Sequence, residues 1–253
     1  MAAKNIIEVD HLVKKYGQFT AVDDVSFRVR EGEIFGLLGP NGAGKTTTLE
    51  VIETLRDLTS GEIRVDGFDI KTNQQAIKRR IGIQLQAAGF YPGLNLVELL
   101  EMFAIMYGVK IDPLAMLEEF QLKDKASVMY DKMSGGQKQR FSLATTLINQ
   151  PRIIFLDEPT TGLDPQARIN LWDVIRKINK KDVTIIITTH YMDEAEQLCD
   201  RLAIMDKGKI ISEGSPSELI DKLLQSGFQR HTEVRAATLE DVFLNLTGRS
   251  IRE

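Results

Sequence analysis

An apolar run, Glu33-Ile-Phe-Gly-Leu-Leu38, feeds directly into Gly39-Pro-Asn-Gly-Ala-Gly-Lys45-Thr46, and that junction limits what the chain can become. The run reads as a strand buried on both faces. The loop fits G-x-x-x-x-G-K-[ST], the phosphate-binding pattern. Gly39, Gly42 and Gly44 permit backbone angles that a Cβ obstructs, so successive loop N–H groups converge on phosphate oxygens. Pro40, Asn41 and Ala43 fill the variable positions. From Thr46 and Thr47 onward the spacing is helical, with Leu49, Ile52 and Leu55 on one face. The loop therefore ends at a helix N-terminus, which favours anions. On this pattern Lys45 reaches the β- and γ-phosphates of a nucleoside triphosphate, and the Thr46 hydroxyl ligates Mg²⁺.

A second apolar run, Arg152-Ile-Ile-Phe-Leu156, ends on Asp157 and Glu158. Ligands collect at the C-terminal strand ends of doubly wound sheets. Adjacent acids at a strand end are often a solvated turn, but here the run is wholly apolar and Pro159 follows. Asp157 fits a holder of Mg²⁺ through water, and Glu158 a group that polarises attacking water. Between the two runs, Ser134-Gly135-Gly136-Gln137 opens a stretch of helical character reaching Ile148. Serine is a good N-cap, and two glycines let a phosphate approach exposed N–H groups closely.

In this order and spacing, the Gly39–Thr46 loop, Met133-Ser-Gly-Gly-Gln-Lys-Gln-Arg140 and Asp157-Glu158 resemble the ATP-binding cassette (ABC) family along essentially the whole chain. The middle element is similar to that family's LSGGQ signature, with Met133 in place of leucine, an apolar exchange of similar volume. The resemblance implies an ATPase whose site is shared by two copies. Ser134, Gly135, Gly136 and Gln137 of one copy would cap the γ-phosphate held by the other. It implies that Tyr16 stacks on adenine and that Gln86 touches Mg²⁺ or the water, with Gln84 a rival two positions away. It also implies that Asp164 lies at the dimer seam, and that His190 bonds the γ-phosphate and helps orient Glu158. Read alone, a tyrosine before a turn glycine is more often packing, and a lone histidine is usually structural; His11 and His231 keep that reading.

The fold expected is α/β: a P-loop NTPase core (RecA-like) with an N-terminal antiparallel β-subdomain and an inserted α-helical subdomain. Residues 1–230 form the ATP-binding domain, helical at about 87–148, and 231–253 a helical tail. Alternation in Ile6-Ile-Glu-Val9 and Val25-Ser-Phe-Arg-Val29 suggests half-exposed strands. Thr59-Ser-Gly61 reads as a turn before a strand at Ile63-Arg-Val65. Helical stripes appear at Leu96, Leu99, Leu100, Phe103 and Met106, at Leu114, Leu117 and Phe120, and at Ile169, Trp172 and Ile175. Capping boxes mark Ser215-Pro-Ser-Glu218 and Thr238-Leu-Glu-Asp241.

The balance of 32 basic against 36 acidic residues argues against nucleic acid as the partner. Lys78-Arg-Arg80 and Lys180-Lys181 read as solvated helix faces. A single cysteine, Cys199, excludes an intrachain disulfide and fits the cytosol. No secretory h-region and no spanning run occur, so the expected place is peripheral, on the cytoplasmic face of the cell membrane, beside a separate integral permease. A homodimer is the default, since both halves of the shared site look intact. The string Thr238–Gly248 and the absence of proline before Gln86 resemble type-2 ABC exporters. Rival readings are an ABC importer ATPase, a soluble ABC mechanoenzyme and a P-loop kinase. The first keeps the whole cassette; the second would bring long coiled coils or a tandem cassette, neither of which this sequence shows, and the third has no need of Ser134–Gln137.

Overall fold

In a computed structural model, residues 4–84, 89–226 and 228 are described. The N-terminal alternation produces a long antiparallel hairpin, β1 (Asn5–Tyr16) and β2 (Phe19–Arg30), turned at Gly17 with φ +60°. Then follow β3 (Ile34–Leu38), α1 (Lys45–Ile52), β4 (Ser60–Val65), β5 (Phe68–Asp69), α2 (Gln74–Lys78) and β6 (Ile81–Gln84). Helices α3 (Leu96–Tyr107), α4 (Pro113–Glu119) and α5 (Gly135–Thr145) come before β7 (Ile153–Asp157). The chain continues through α6 (Pro165–Asn179), β8 (Thr184–Thr189), α7 (Met192–Leu198), β9 (Arg201–Asp206), β10 (Lys209–Gly214) and α8 (Pro216–Gln225).

Two sheets result. One is antiparallel, in the order β2-β1-β4-β5; the other runs β10-β9-β3-β8-β7-β6, parallel except for the β9–β10 hairpin. In the parallel sheet, successive side chains face opposite cores, as strand pleating requires. Phe35, Leu37, Ile153, Phe155 and Ile186 pack with α1 and the antiparallel sheet. Ile34, Leu38, Ile154, Leu156, Ile185 and Ile187 pack with α3–α6. Phe27 and Phe35 stack across the two sheets, centroids 5.3 Å apart. The loop between β3 and α1 is thus held at the C-terminal end of an interior strand, in a sheet covered on both faces.

Several expected faces differ. Leu55 lies beyond the end of α1 and is exposed; so are Met106, Leu114 and Ile169, each at the margin of its helical stripe. Thr59-Ser-Gly61 is not a turn, because β4 already begins at Ser60. Arg80 is no solvated helix-face residue: its guanidinium pairs with Asp66 at 3.0 Å and lies over the Phe68 ring. Trp172 is buried as expected, and the Ser215 capping box forms. His231, the tail 231–253 and its Thr238 box lie outside the described residues.

Two consequences are measurable. A Cβ on Gly82 would stand 2.2 Å from the Thr146 carbonyl oxygen, so β6 and the end of α5 touch only because residue 82 is glycine. Gly82→Ala is expected to destabilise the fold by about 1–3 kcal/mol in urea unfolding, through overpacking. Glu53, the buried C-cap of α1, has its pKa pushed up to about 8 by burial and then by the charges of Asp157 and Glu50. The folded chain holds a proton there that the unfolded chain releases near the ordinary carboxylate value of 4.5. Stability is therefore fully present below that value and lost as pH rises toward 8. Glu53→Gln is expected to raise the melting temperature on the alkaline side of this window and leave it unchanged on the acid side, read by calorimetry.

Candidate active site

The C-terminal ends of β3, β7 and β8 meet at the glycine-rich loop. Gly39 is glycine because of crowding: a Cβ would lie 2.2 Å from the Met205 carbonyl oxygen. Gly44 combines φ +99° with a Cβ position 2.6 Å from the Ala21 carbonyl oxygen. Lys45 is buried, and its ammonium donates to the Gly39 and Pro40 carbonyls at 2.8 and 3.1 Å. The same nitrogen stands 3.5 Å from Glu158 Oε1.

Asp157 gathers the next contacts. Its Oδ1 accepts from the Thr46 hydroxyl at 3.1 Å and from the Thr188 hydroxyl at 2.5 Å. Burial raises the Asp157 pKa; the Thr188 and Thr46 hydrogen bonds oppose the rise, and the charge of Glu158 adds to it. Glu158 has a left-handed backbone, φ +46°, for which its amide donates to both the carbonyl and the hydroxyl oxygen of Thr188. Its Oε2 accepts from Thr161 at 3.3 Å. His190 Nδ1 lies 3.2 Å from the same oxygen, outside hydrogen-bonding geometry.

Lys45, Thr46 and Glu158 line a cleft of about 390 Å³ together with Asn41, Gly42, Gly44, Thr47, Tyr16, Phe19 and Ala21. Tyr16 is 41% exposed, with the Lys14 and Arg56 cations 5.0 and 5.7 Å from its ring centroid. A second cleft of about 330 Å³ shares no lining residue with the first. Ser134 to Gln137, Arg140, Leu163 and Asp164 border it. Ser134 and Gln137 form a reciprocal capping box at the head of α5. Asp164 caps α6 by accepting from the Ala167 amide at 2.8 Å.

Gln86 lies outside the described residues. Its rival Gln84 is buried and borders neither cleft; its Nε2 reaches the Gln139 carbonyl at 3.4 Å. Sequence reasoning missed Thr188, Phe19 and Arg140. Thr188 was signalled only by standing two positions before His190 in a strand of β-branched residues.

The donor set suits Mg²⁺. A hydroxyl and a carboxylate oxygen converge at 3.1 Å, hard oxygens of the kind that ion takes beside phosphates and water. Among the described residues, no group of three or more His, Cys, Asp and Glu offers an all-protein cage.

A profile of the family described as "ABC transporter" matches residues 22–161. The Nod factor export ATP-binding protein I of Burkholderia orbicola is 36% identical over 98% of both chains. The probable multidrug ABC transporter ATP-binding protein YbhF of Escherichia coli is 40% identical over 96% of this chain, which spans only 42% of that protein. Among solved structures, the ATP-binding subunit of an ABC transporter superposes with TM-score 0.77 at 29% identity, covering 96% of this chain and 99% of that one. A dimeric cassette in a post-hydrolysis state bound to ADP and Pi superposes with TM-score 0.74 at 27% identity, covering 83% and 98%. With the profile spanning over half its length and relatives of this identity along nearly all of it, the chain belongs to the ABC transporter family as an ATP-binding, ATP-hydrolysing cassette.

Proposed function

We propose that the chain powers export of a substrate through a separate membrane permease, working as a homodimer that closes on two ATP molecules. The observation that carries the reading is the pair of clefts. One holds a buried lysine, the Thr46 and Thr47 hydroxyls and the Glu158 carboxylate; the other offers a glycine-rich helix tip; and no residue borders both. Two copies facing head to tail would bring each tip to the other's phosphate loop, and related cassettes are dimeric. Export is supported by the printed names of the relatives. A separate permease is supported by the described helices, none of which is long and apolar enough to cross a membrane. Such a subunit sits peripherally on the cytoplasmic face.

In this reading Tyr16 stacks on the adenine. Gly39 to Thr47 cradle the phosphates through backbone N–H groups, and Lys45 turns its ammonium from the loop carbonyls to the phosphate oxygens. Thr46 and Asp157 would hold Mg²⁺, with Gln86 adding a contact. The ion supplies charge neutralisation on the transferring phosphoryl group. Glu158 accepts the proton of the attacking water, and His190 orients Glu158 and bonds the γ-phosphate. Ser134 and the Gly135 and Gly136 amides of the second copy meet the transition-state charge, with Gln137 fixing the helix tip and Asp164 at the seam.

Glu158→Gln is expected to lower turnover by roughly 10²–10⁴-fold, the usual worth of a general base, while ATP still drives dimerisation in size-exclusion chromatography. Near-normal turnover would remove Glu158 from that role. Gly135→Ala tests the shared site, because a Cβ there meets nothing nearer than Leu163 at 3.8 Å and the fold accommodates it. Turnover is expected to fall at least about tenfold, the scale of a blocked electrostatic contact, with nucleotide affinity kept. Mixing the two inactive variants is expected to restore turnover, since one mixed site pairs an intact Glu158 with an intact tip. No recovery on mixing would refute the shared site. Co-purification with an integral membrane protein tests the transport assignment.

A further inference from the structure

A groove of about 450 Å³ runs along the junction of α6 and α7, lined by Arg168, Trp172 and Arg176 from one side and Asp193 and Gln197 from the other. Three side chains of α6 cross to α7 at a four-residue spacing, a single helical face. Arg168 Nη1 donates to Asp193 Oδ2 at 3.0 Å, Trp172 Nε1 to Glu194 Oε1 at 3.0 Å, and Arg176 Nη2 to the Gln197 carbonyl at 2.8 Å. The Arg168 guanidinium also lies over the Tyr191 ring, 5.2 Å from its centroid, and that ring is 4.2 Å from the His190 ring. At its other end, the Arg168 amide bonds the Asp164 carbonyl at 3.0 Å. Glu194 is fully buried. Its Oε2 and the neighbouring Thr160 hydroxyl, three positions after Asp157, both lack a well-formed hydrogen bond.

We propose that this clasp sets the position of His190, with Arg168 as the positioning residue. It fixes the Tyr191–His190 turn against the Asp164 end of α6, so His190 addresses Glu158 in register with whatever orders Asp164. Partly exposed ion pairs and ring–cation contacts add little to stability, whereas small misplacements of a reacting group are costly to rate. The proposal rests on the reading above, that Asp164 lies at the seam and that Glu158 receives the proton.

The test compares Arg168→Ala with Arg176→Ala, at the far end of the same clasp. Arg168→Ala is expected to lower kcat about tenfold, the scale of a misplaced group, with KM and ATP affinity unchanged. Arg176→Ala is expected to keep kcat within about twofold. Arg168→Lys retains a cation for Asp193 but not a flat face for Tyr191, so it recovers part of the loss. In a Glu158→Gln background, Arg168→Ala should leave ATP-driven dimerisation intact. The proposal is overturned if Arg168→Ala keeps parental kcat, if Arg176→Ala matches its loss, or if dimerisation fails with it. The functional reading fails separately, through a parent protein that turns over ATP without dimerising; the kcat ratio of variant to parent still reads the clasp.

Discussion

One carboxylate oxygen ties the phosphate-binding end of the molecule together. Asp157 Oδ1 accepts from Thr46, in the first turn of α1, and from Thr188, at the end of β8. The parallel register of β7 and β8 places Asp157 opposite Thr188, so sheet geometry sets this contact. Withdrawing a charge from water is unfavourable unless donors replace the lost solvent. Here the two hydroxyls offset only part of the penalty, and the carboxyl stays above its ordinary range. Such a group favours a cation beside it, which agrees with the metal-holding role proposed for Thr46 and Asp157.

The same threonine governs the neighbouring residue. Thr188 Oγ1 donates to Asp157 while accepting the Glu158 amide. A left-handed backbone on a non-glycine residue costs on the order of 1–3 kcal/mol and persists only where its surroundings hold it. At Glu158, with φ +46°, two amide contacts to Thr188 do so. The consequence is directional: the carboxylate comes to lie near both Lys45 and His190. Strain, sheet register and the proposed chemistry thus meet in one turn.

What the sequence disclosed and what it hid follow from how each signal is carried. Strands β3 and β7 were legible because a continuous apolar run, Ile34–Leu38 and Ile153–Leu156, fills each, as burial on both faces demands. The loop glycines and Asp157-Glu158 were legible because their spacing is contiguous. Thr188 was not, since a threonine in a β-branched strand reads as packing until its cross-strand partner is known. The stripe of Ile169, Trp172 and Ile175 identified the buried face of α6 but overran it, leaving Ile169 exposed. Periodicity names a face and not its partner, so the Arg168, Trp172 and Arg176 row beside it passed unnoticed. Asp164, read from the family resemblance as a seam residue, is in the structure the N-cap of its own helix.

The glycines separate what the chain needs for itself from what it offers to another molecule. Gly39 and Gly44 are pressed by carbonyl oxygens of Met205 and Ala21, and either one would clash as alanine. Gly135 is neither crowded nor left-handed: its nearest neighbour to a Cβ is Leu163 at 3.8 Å. A glycine there weakens the first turn of α5, where alanine would serve folding better by roughly 0.5–1 kcal/mol. Nothing described within the chain compensates for that loss. In the proposed function the compensation comes from outside, from a group that approaches the backbone more closely than a methyl allows. At a capped helix tip with amides exposed, an anionic oxygen is the group that physical chemistry favours.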